Sequence, residues 1–173
     1  DRLYGQENDD SILGGLGGDT IYGADGIDHV DAGNDNDSVY GGAGTDFLVG
    51  GAGQDLIEGG TEDDNIDGGA DDDKLYGQEN NDSILGGAGR DIVEGGSGDD
   101  SIDGGTGGDT LYGGTENDTI YTGDDANSDT NYVYGGTGDD SVIGGNGIDL
   151  IDGGAGYDSV IGGAGNDSIY IGA

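Results

Sequence analysis

Two positions recur every nine residues through nearly the whole chain, and that repetition restricts the fold more than any other feature. In the stretch Gly41–Val49, Gly-Gly-Ala-Gly-Thr-Asp-Phe-Leu-Val, glycine holds places 1, 2 and 4, aspartate place 6 and an aliphatic place 8. Gly50 to Glu58 repeat the order. Place 8 falls at Leu3, Ile12, Ile21, Val30, Val39, Leu48, Ile57, Ile66, Leu75, Ile84, Val93, Ile102, Leu111 and Ile120 without a slip. After one insertion it resumes at Val133, Val142, Ile151, Val160 and Ile169. Every occupant is Leu, Ile or Val.

A period of nine suits neither a helix nor a long strand. It suits a flattened coil, with places 7–9 forming a short strand and places 1–6 a turn. Side chains alternate along a strand, so place 8 points inward when its neighbours point out. The turn needs glycine where the backbone takes positive φ or passes close to its neighbour. Two units close one coil of 18 residues, and successive coils stack at roughly 4.8 Å. The expected fold is all-β: a parallel β-roll, or β-solenoid, of about nine 18-residue coils with two short strands each. Residues 1–173 form one such domain. Asp1–Gly15 and Asp73–Gly87 differ at only two positions, and their offset of 72 residues is four whole coils.

Place 9 distinguishes the two outer faces. One reads Tyr4, Tyr22, Tyr40, Glu58, Tyr76, Glu94, Tyr112, Tyr134, Asp152, Tyr170, and the other Leu13, Asp31, Val49, Asp67, Leu85, Asp103, Tyr121, Ile143, Ile161. The tyrosines are expected to form an outward ladder that stiffens one sheet; a contact stripe for another molecule is the alternative. The unit Thr122–Tyr134 is four residues too long, so a loop is expected at about 122–131. Asp124, Asp125 and Asp129 there could hold an ion, or the loop could be a plain surface excursion.

Composition narrows the function. The chain has 45 Gly, 39 Asp and Glu, only 3 Lys and Arg, and a net charge of −36. That balance would ordinarily mean disorder, but a strict register is not a property of disordered acidic tails. Nucleic acids and anionic lipids are excluded as partners by charge, and cations are favoured. There is no cysteine, and no apolar run is long enough to span a bilayer. Asp1 falls at place 6 with no Met before it, so the sequence is expected to be a segment of a longer chain. The single histidine, His29, sits at an outward place 7, and no serine or threonine has a base beside it in the pattern. An enzyme is therefore not expected.

Stacking brings like charges together. Asp46 should lie near Asp64 on one side and Asp28 on the other, and this repeats along both edges of the coil. Something positive must offset that repulsion. Carboxylates combined with backbone carbonyls, without nitrogen or sulfur, suit a hard cation, and calcium accepts six to eight such oxygens with flexible geometry. Nine turns on each edge leave room for about 16 ions. Their charge of about +32 would bring a net −36 to about −4. The apolar interior is one aliphatic per unit, so folding is expected to depend on metal.

Units such as Gly41–Val49, Gly135–Ile143 and Gly162–Tyr170 resemble the haemolysin-type calcium-binding nonapeptide, the RTX repeat, over essentially the whole chain. The resemblance implies a parallel β-roll with calcium between turns, export unfolded by a bacterial type I secretion system, and folding outside the cell or on its surface. It also implies that the place-6 aspartate supplies the side-chain ligand and glycine-turn carbonyls the rest. That carries over to Asp10, Asp19, Asp28, Asp37, Asp46, Asp55, Asp64, Asp73, Asp82, Asp91, Asp100, Asp109, Asp118, Asp140, Asp149, Asp158 and Asp167. Asn131 departs from the pattern, which puts the gaps between Asp109, Asn131 and Asp149 in question. At place 4, Asn8, Glu62, Asp71, Asn80 and Glu116 replace glycine and are expected to take left-handed φ. Three roles stay open: a calcium-dependent stalk, adhesin segment or surface fibre that could stack end to end; an accessory domain of a secreted protease, lipase or toxin; and a soluble calcium buffer.

Overall fold

A computed structural model describes residues 1–123 and 129–172. The backbone winds as strand, turn, strand, turn, and each strand pairs only with strands one coil away. Arg2–Glu7, Thr20–Asp25, Ser38–Ala43 and their successors build one parallel sheet. Ser11–Leu16, His29–Asn34, Phe47–Ala52 and theirs build the other. The register advances by 18 residues, pairing Leu3 with Ile21 and Ile21 with Val39. This is the expected β-solenoid of about nine turns. No helix among the described residues is long and apolar enough to cross a membrane.

The two sheets face each other across the place-8 aliphatics. Ile21, Val39, Ile57, Leu75, Val93, Leu111 and Val133 from one sheet are 0 % exposed, and Val30, Leu48, Ile66, Ile84, Ile102, Ile120 and Val142 from the other at most 2 %. Burying each stabilises the fold by about 1.5–3 kcal/mol. The outer faces carry places 7 and 9. Tyr4, Tyr22 and Tyr40 stack at centroid spacings of 5.1 and 5.0 Å, and Tyr112 stacks on Tyr134 at 5.0 Å. His29 lies on the other outer face, stacked on Phe47 at 4.6 Å.

The strands are longer than the expected three residues. A typical one runs six, from place 7 to place 3, so the glycines at places 1 and 2 lie within it. Pairing passes from Tyr4 and Tyr22 to Gln6 and Ala24, leaving place 1 out of the ladder. Place 2 takes left-handed φ even when it is not glycine: Gln6 86°, Ala24 88°, Gln78 82°. Each strand thus contains a kink that turns it towards the next sheet, and the turn proper shrinks to places 4–6. Place 4 is left-handed as well. Asn8, Glu62, Asp71, Asn80 and Glu116 have φ between 73° and 79°. Asp35, at 74°, belongs with them.

Around the insertion the stack keeps its order. The Thr122 N–H donates to the Ile143 carbonyl at 3.1 Å. Thr130 and Asn131, expected in the loop, belong to the strand Thr130–Thr137 and pair with Ile148 and Asp149. Asp124 and Asp125 lie outside the described residues. Asp129 is described, and its carbonyl accepts the Ile148 N–H at 2.9 Å.

Candidate metal centre

From Asp10 onwards, every repeat but the one at Asn131 ends its turn by folding an aspartate inward. The place-6 residues from Asp19 to Asp149, including Asp28, Asp46, Asp64, Asp82 and Asp100, are at most 4 % exposed; Asp10, Asp158 and Asp167 are half-buried. The backbone explains the burial. The N–H of Asp28 donates to Asp46 Oδ1 at 2.8 Å, and the N–H of Asp46 to Asp64 Oδ1 at 2.8 Å. The Asp28 carbonyl accepts the Phe47 N–H at 2.8 Å. Each aspartate is therefore clamped to the coils before and after it, and its carboxylate cannot swing out to water. The other edge is built in the same way, with Asp37 N–H donating to Asp55 Oδ1 and Asp55 N–H to Asp73 Oδ1, both at 2.8 Å. At the start of the stack, the Asp1 ammonium stands 2.7 Å from Asp19 Oδ1.

The second oxygen is the unusual one. Oδ2 of Asp28, Asp46, Asp64, Asp82, Asp100 and Asp118 on one edge, and of Asp37, Asp55, Asp73 and Asp91 on the other, is buried without a hydrogen-bond partner. A buried acceptor left unmatched costs about 1–3 kcal/mol, and more when it carries charge. Here the deficit recurs in coil after coil on both edges. The glycine at place 1 shows what lies beside it. A Cβ on Gly41 would stand 2.5 Å from Asp46 Oδ2 and 2.5 Å from the Gly59 carbonyl oxygen. A carboxylate oxygen and a carbonyl oxygen of the next coil thus converge on one small space. Place-4 carbonyls run along the same edges. That of Gly26 faces Gly44, and that of Gly138 faces Gly156.

Burial sets the charge state. Desolvation raises Asp46, Asp55, Asp91 and Asp100 to about 6. It raises Asp64, Asp73, Asp82 and Asp118 to about 7. The backbone N–H bond opposes the rise, and neighbouring carboxylates add to it. Among the described residues no three carboxylate or imidazole groups converge on one point. The inward-facing acids come no more than one per coil on each edge, with backbone oxygens around them. An oxygen-only set of one carboxylate and several carbonyls matches calcium in donor type.

Asn131 occupies its place in the ladder, 0 % exposed. Its Oδ1 accepts the Asp109 N–H at 2.8 Å, and its Nδ2 donates to Asp149 Oδ1 at 2.9 Å.

Sequence reasoning missed a second ladder, at place 5. The N–H of Asn81 donates to Asp63 Oδ1 at 3.1 Å, that of Asp99 to Asn81 Oδ1 at 2.7 Å, and that of Asn117 to Asp99 Oδ1 at 2.9 Å. Asp139 and Tyr157 continue it, each at 2.8 Å. The recurrence of Asp and Asn at place 5 in alternate units was the available signal.

A family model of the RTX calcium-binding nonapeptide repeat, in blocks of four copies, matches residues 1–21, 22–57, 49–84, 58–93, 76–111, 103–128, 125–160 and 143–173. These matches cover the whole chain, and the chain belongs to that family. It is a calcium-binding structural β-roll. A search of curated proteins finds no match.

Proposed function

We propose that this roll is an extracellular structural element whose rigidity is set by calcium, serving as a stalk, adhesin segment or surface fibre. The observation that carries the reading is the row of buried Asp Oδ2 atoms without partners on each edge. Asp10 to Asp118 at place 6, with Asp140, Asp149, Asp158 and Asp167, would supply one carboxylate each, and the glycine-turn carbonyls the remaining oxygens. Calcium at these points would neutralise the carboxylates and cross-link consecutive coils, about 16 ions in an undisturbed stack. The chain's own contribution is preorganisation. Oδ1 is held by an N–H, the place-1 glycine leaves room, and the left-handed residues at places 2 and 4 turn carbonyls along the stack.

Extracellular calcium is abundant and cytosolic calcium scarce, so a chain of this charge would stay unfolded inside a cell and harden outside it. Far-ultraviolet circular dichroism during a calcium titration tests the reading. The expected result is a cooperative passage from coil to β that a chelator reverses. A fully ordered roll in excess chelator at neutral pH would overturn it.

A further inference from the structure

The two edges of the roll are not equivalent. On the edge that carries Asp64, Asp82, Asp100, Asp118 and Asp140, place 5 reads Asp63, Asn81, Asp99, Asn117, Asp139 in consecutive coils. Each side-chain Oδ1 accepts the place-5 N–H of the following coil, making five successive rungs that end on Tyr157. On the opposite edge the described rungs are isolated: Asn36 to Gln54 at 3.0 Å and Asp72 to Arg90 at 2.9 Å.

A trans peptide holds its N–H and C=O antiparallel. When the place-5 N–H is drawn back to the preceding coil, the place-4 carbonyl of the same peptide must point forward to the next one. The structure has this arrangement. The Asp139 N–H is held by Asn117 Oδ1, and the Gly138 carbonyl faces Gly156. Likewise the Asn81 N–H is held by Asp63 Oδ1, and the Asn80 carbonyl faces Gly98.

We infer that the place-5 side chains Asp63, Asn81, Asp99, Asn117 and Asp139 are positioning residues for calcium, aiming the place-4 carbonyls of one edge and making that edge the tighter of the two ion rows. This rests on the proposal that calcium lies between the coils. The side chains act as hydrogen-bond acceptors, so charge is not what they contribute. That separates them from the place-6 acids, and it makes Asn and Asp interchangeable among them.

Two variants divide the possibilities. Asn81→Ala with Asn117→Ala removes two rungs and leaves the charge untouched. Asp99→Asn removes a charge and keeps its rung. Calcium binding to the 173-residue chain is followed by isothermal titration, with carbonyl ¹³C shifts of Gly98 and Gly138 read at saturating calcium. The double alanine variant should weaken the tighter class of sites about three- to tenfold, the scale of one or two exposed hydrogen bonds. It should also move the Gly98 and Gly138 carbonyl resonances while the fold at saturation persists. Asp99→Asn should bind within about twofold of the parent. Gln54→Ala, on the opposite edge, serves as the baseline for a place-5 change. If Asp99→Asn weakens binding as much as the double variant does, charge is the cause and the inference fails. If the double variant titrates like the parent, the rungs do not aim the carbonyls. A parent chain that takes up no calcium would sink the underlying function instead.

Discussion

Asn131 donates through Nδ2 to Asp149 Oδ1 at 2.9 Å, a side-chain amide placed where every neighbouring unit has a carboxylate. The amide meets the next acid with a proton instead of a like charge. That eases the stack beside the insertion without a metal. Replacing it restores the repulsion found at other steps. Asn131→Asp should therefore raise the calcium concentration at half-folding by up to about tenfold, because loss of a hydrogen bond to a charged group costs about 1.5–3 kcal/mol and that cost is shared among the ions that bind as the chain folds. Circular dichroism during calcium titration measures it. A midpoint at lower calcium would mean that the new acid has gained an ion of its own.

Protons should partly substitute for calcium. Asp64, Asp73, Asp82 and Asp118 titrate at about 7 in the roll because burial disfavours their charged forms. An unfolded aspartate titrates at about 3.9. Between those values the folded chain binds more protons, so metal-free stability rises as pH falls. The gain is complete below about 3.9 and is lost as pH climbs through about 6 to 7. In excess EDTA, acidification from pH 8 to 4 should increase the β signal. A metal-free chain that loses β structure over that range would contradict the assignment of these acids as buried.

Glycine matters differently at different places. At place 1, Gly41→Ala sets a methyl 2.5 Å from both Asp46 Oδ2 and the Gly59 carbonyl, with a rigid backbone on one side. It should cost about 2–4 kcal/mol and raise the calcium midpoint. At place 4, Gly17 has φ of 88° and open space around its Cα. Asn8 and Asn80 occupy the same place at 77° and 78°. Gly17→Asn should therefore stay within about 0.5 kcal/mol of the parent. Thermal unfolding at saturating calcium compares the two, and equal losses would refute the distinction.

The tyrosine rows should contribute measurably without being essential. Tyr22 stacks on both Tyr4 and Tyr40. Tyr22→Ala should lower stability by about 1–3 kcal/mol, counting two aromatic contacts of about 0.5–1.5 each. It should also reduce near-ultraviolet dichroism more than Tyr76→Ala does, since Tyr76 sits between Glu58 and Glu94 along the sheet.

Much of this was legible because the repeat fixes each residue's surroundings. The aliphatic at place 8 and the acid at place 6 read directly as an interior column and a stacked edge, and the structure buries both. The polar residues at place 4 read as left-handed, which Asn8 and Glu62 are. The strand length was not legible, because glycine at places 1 and 2 reads as turn. In the roll it serves close approach, as Gly41 does beside Asp46 Oδ2, within a strand that continues past it. The place-5 ladder was also hidden. A single unit cannot show that Asp63 and Asn81 are partners; only the 18-residue stacking of one on the other does.

Since every coil repeats the pairing of the one before, the molecule has no built-in length. Duplicating 18 residues, or the 72 that relate Asp1–Gly15 to Asp73–Gly87, extends the rod and keeps the tyrosines on their side. Slipping by a single nine-residue unit would instead exchange the two faces for everything downstream. Inheritance should therefore favour gains and losses counted in even numbers of repeats.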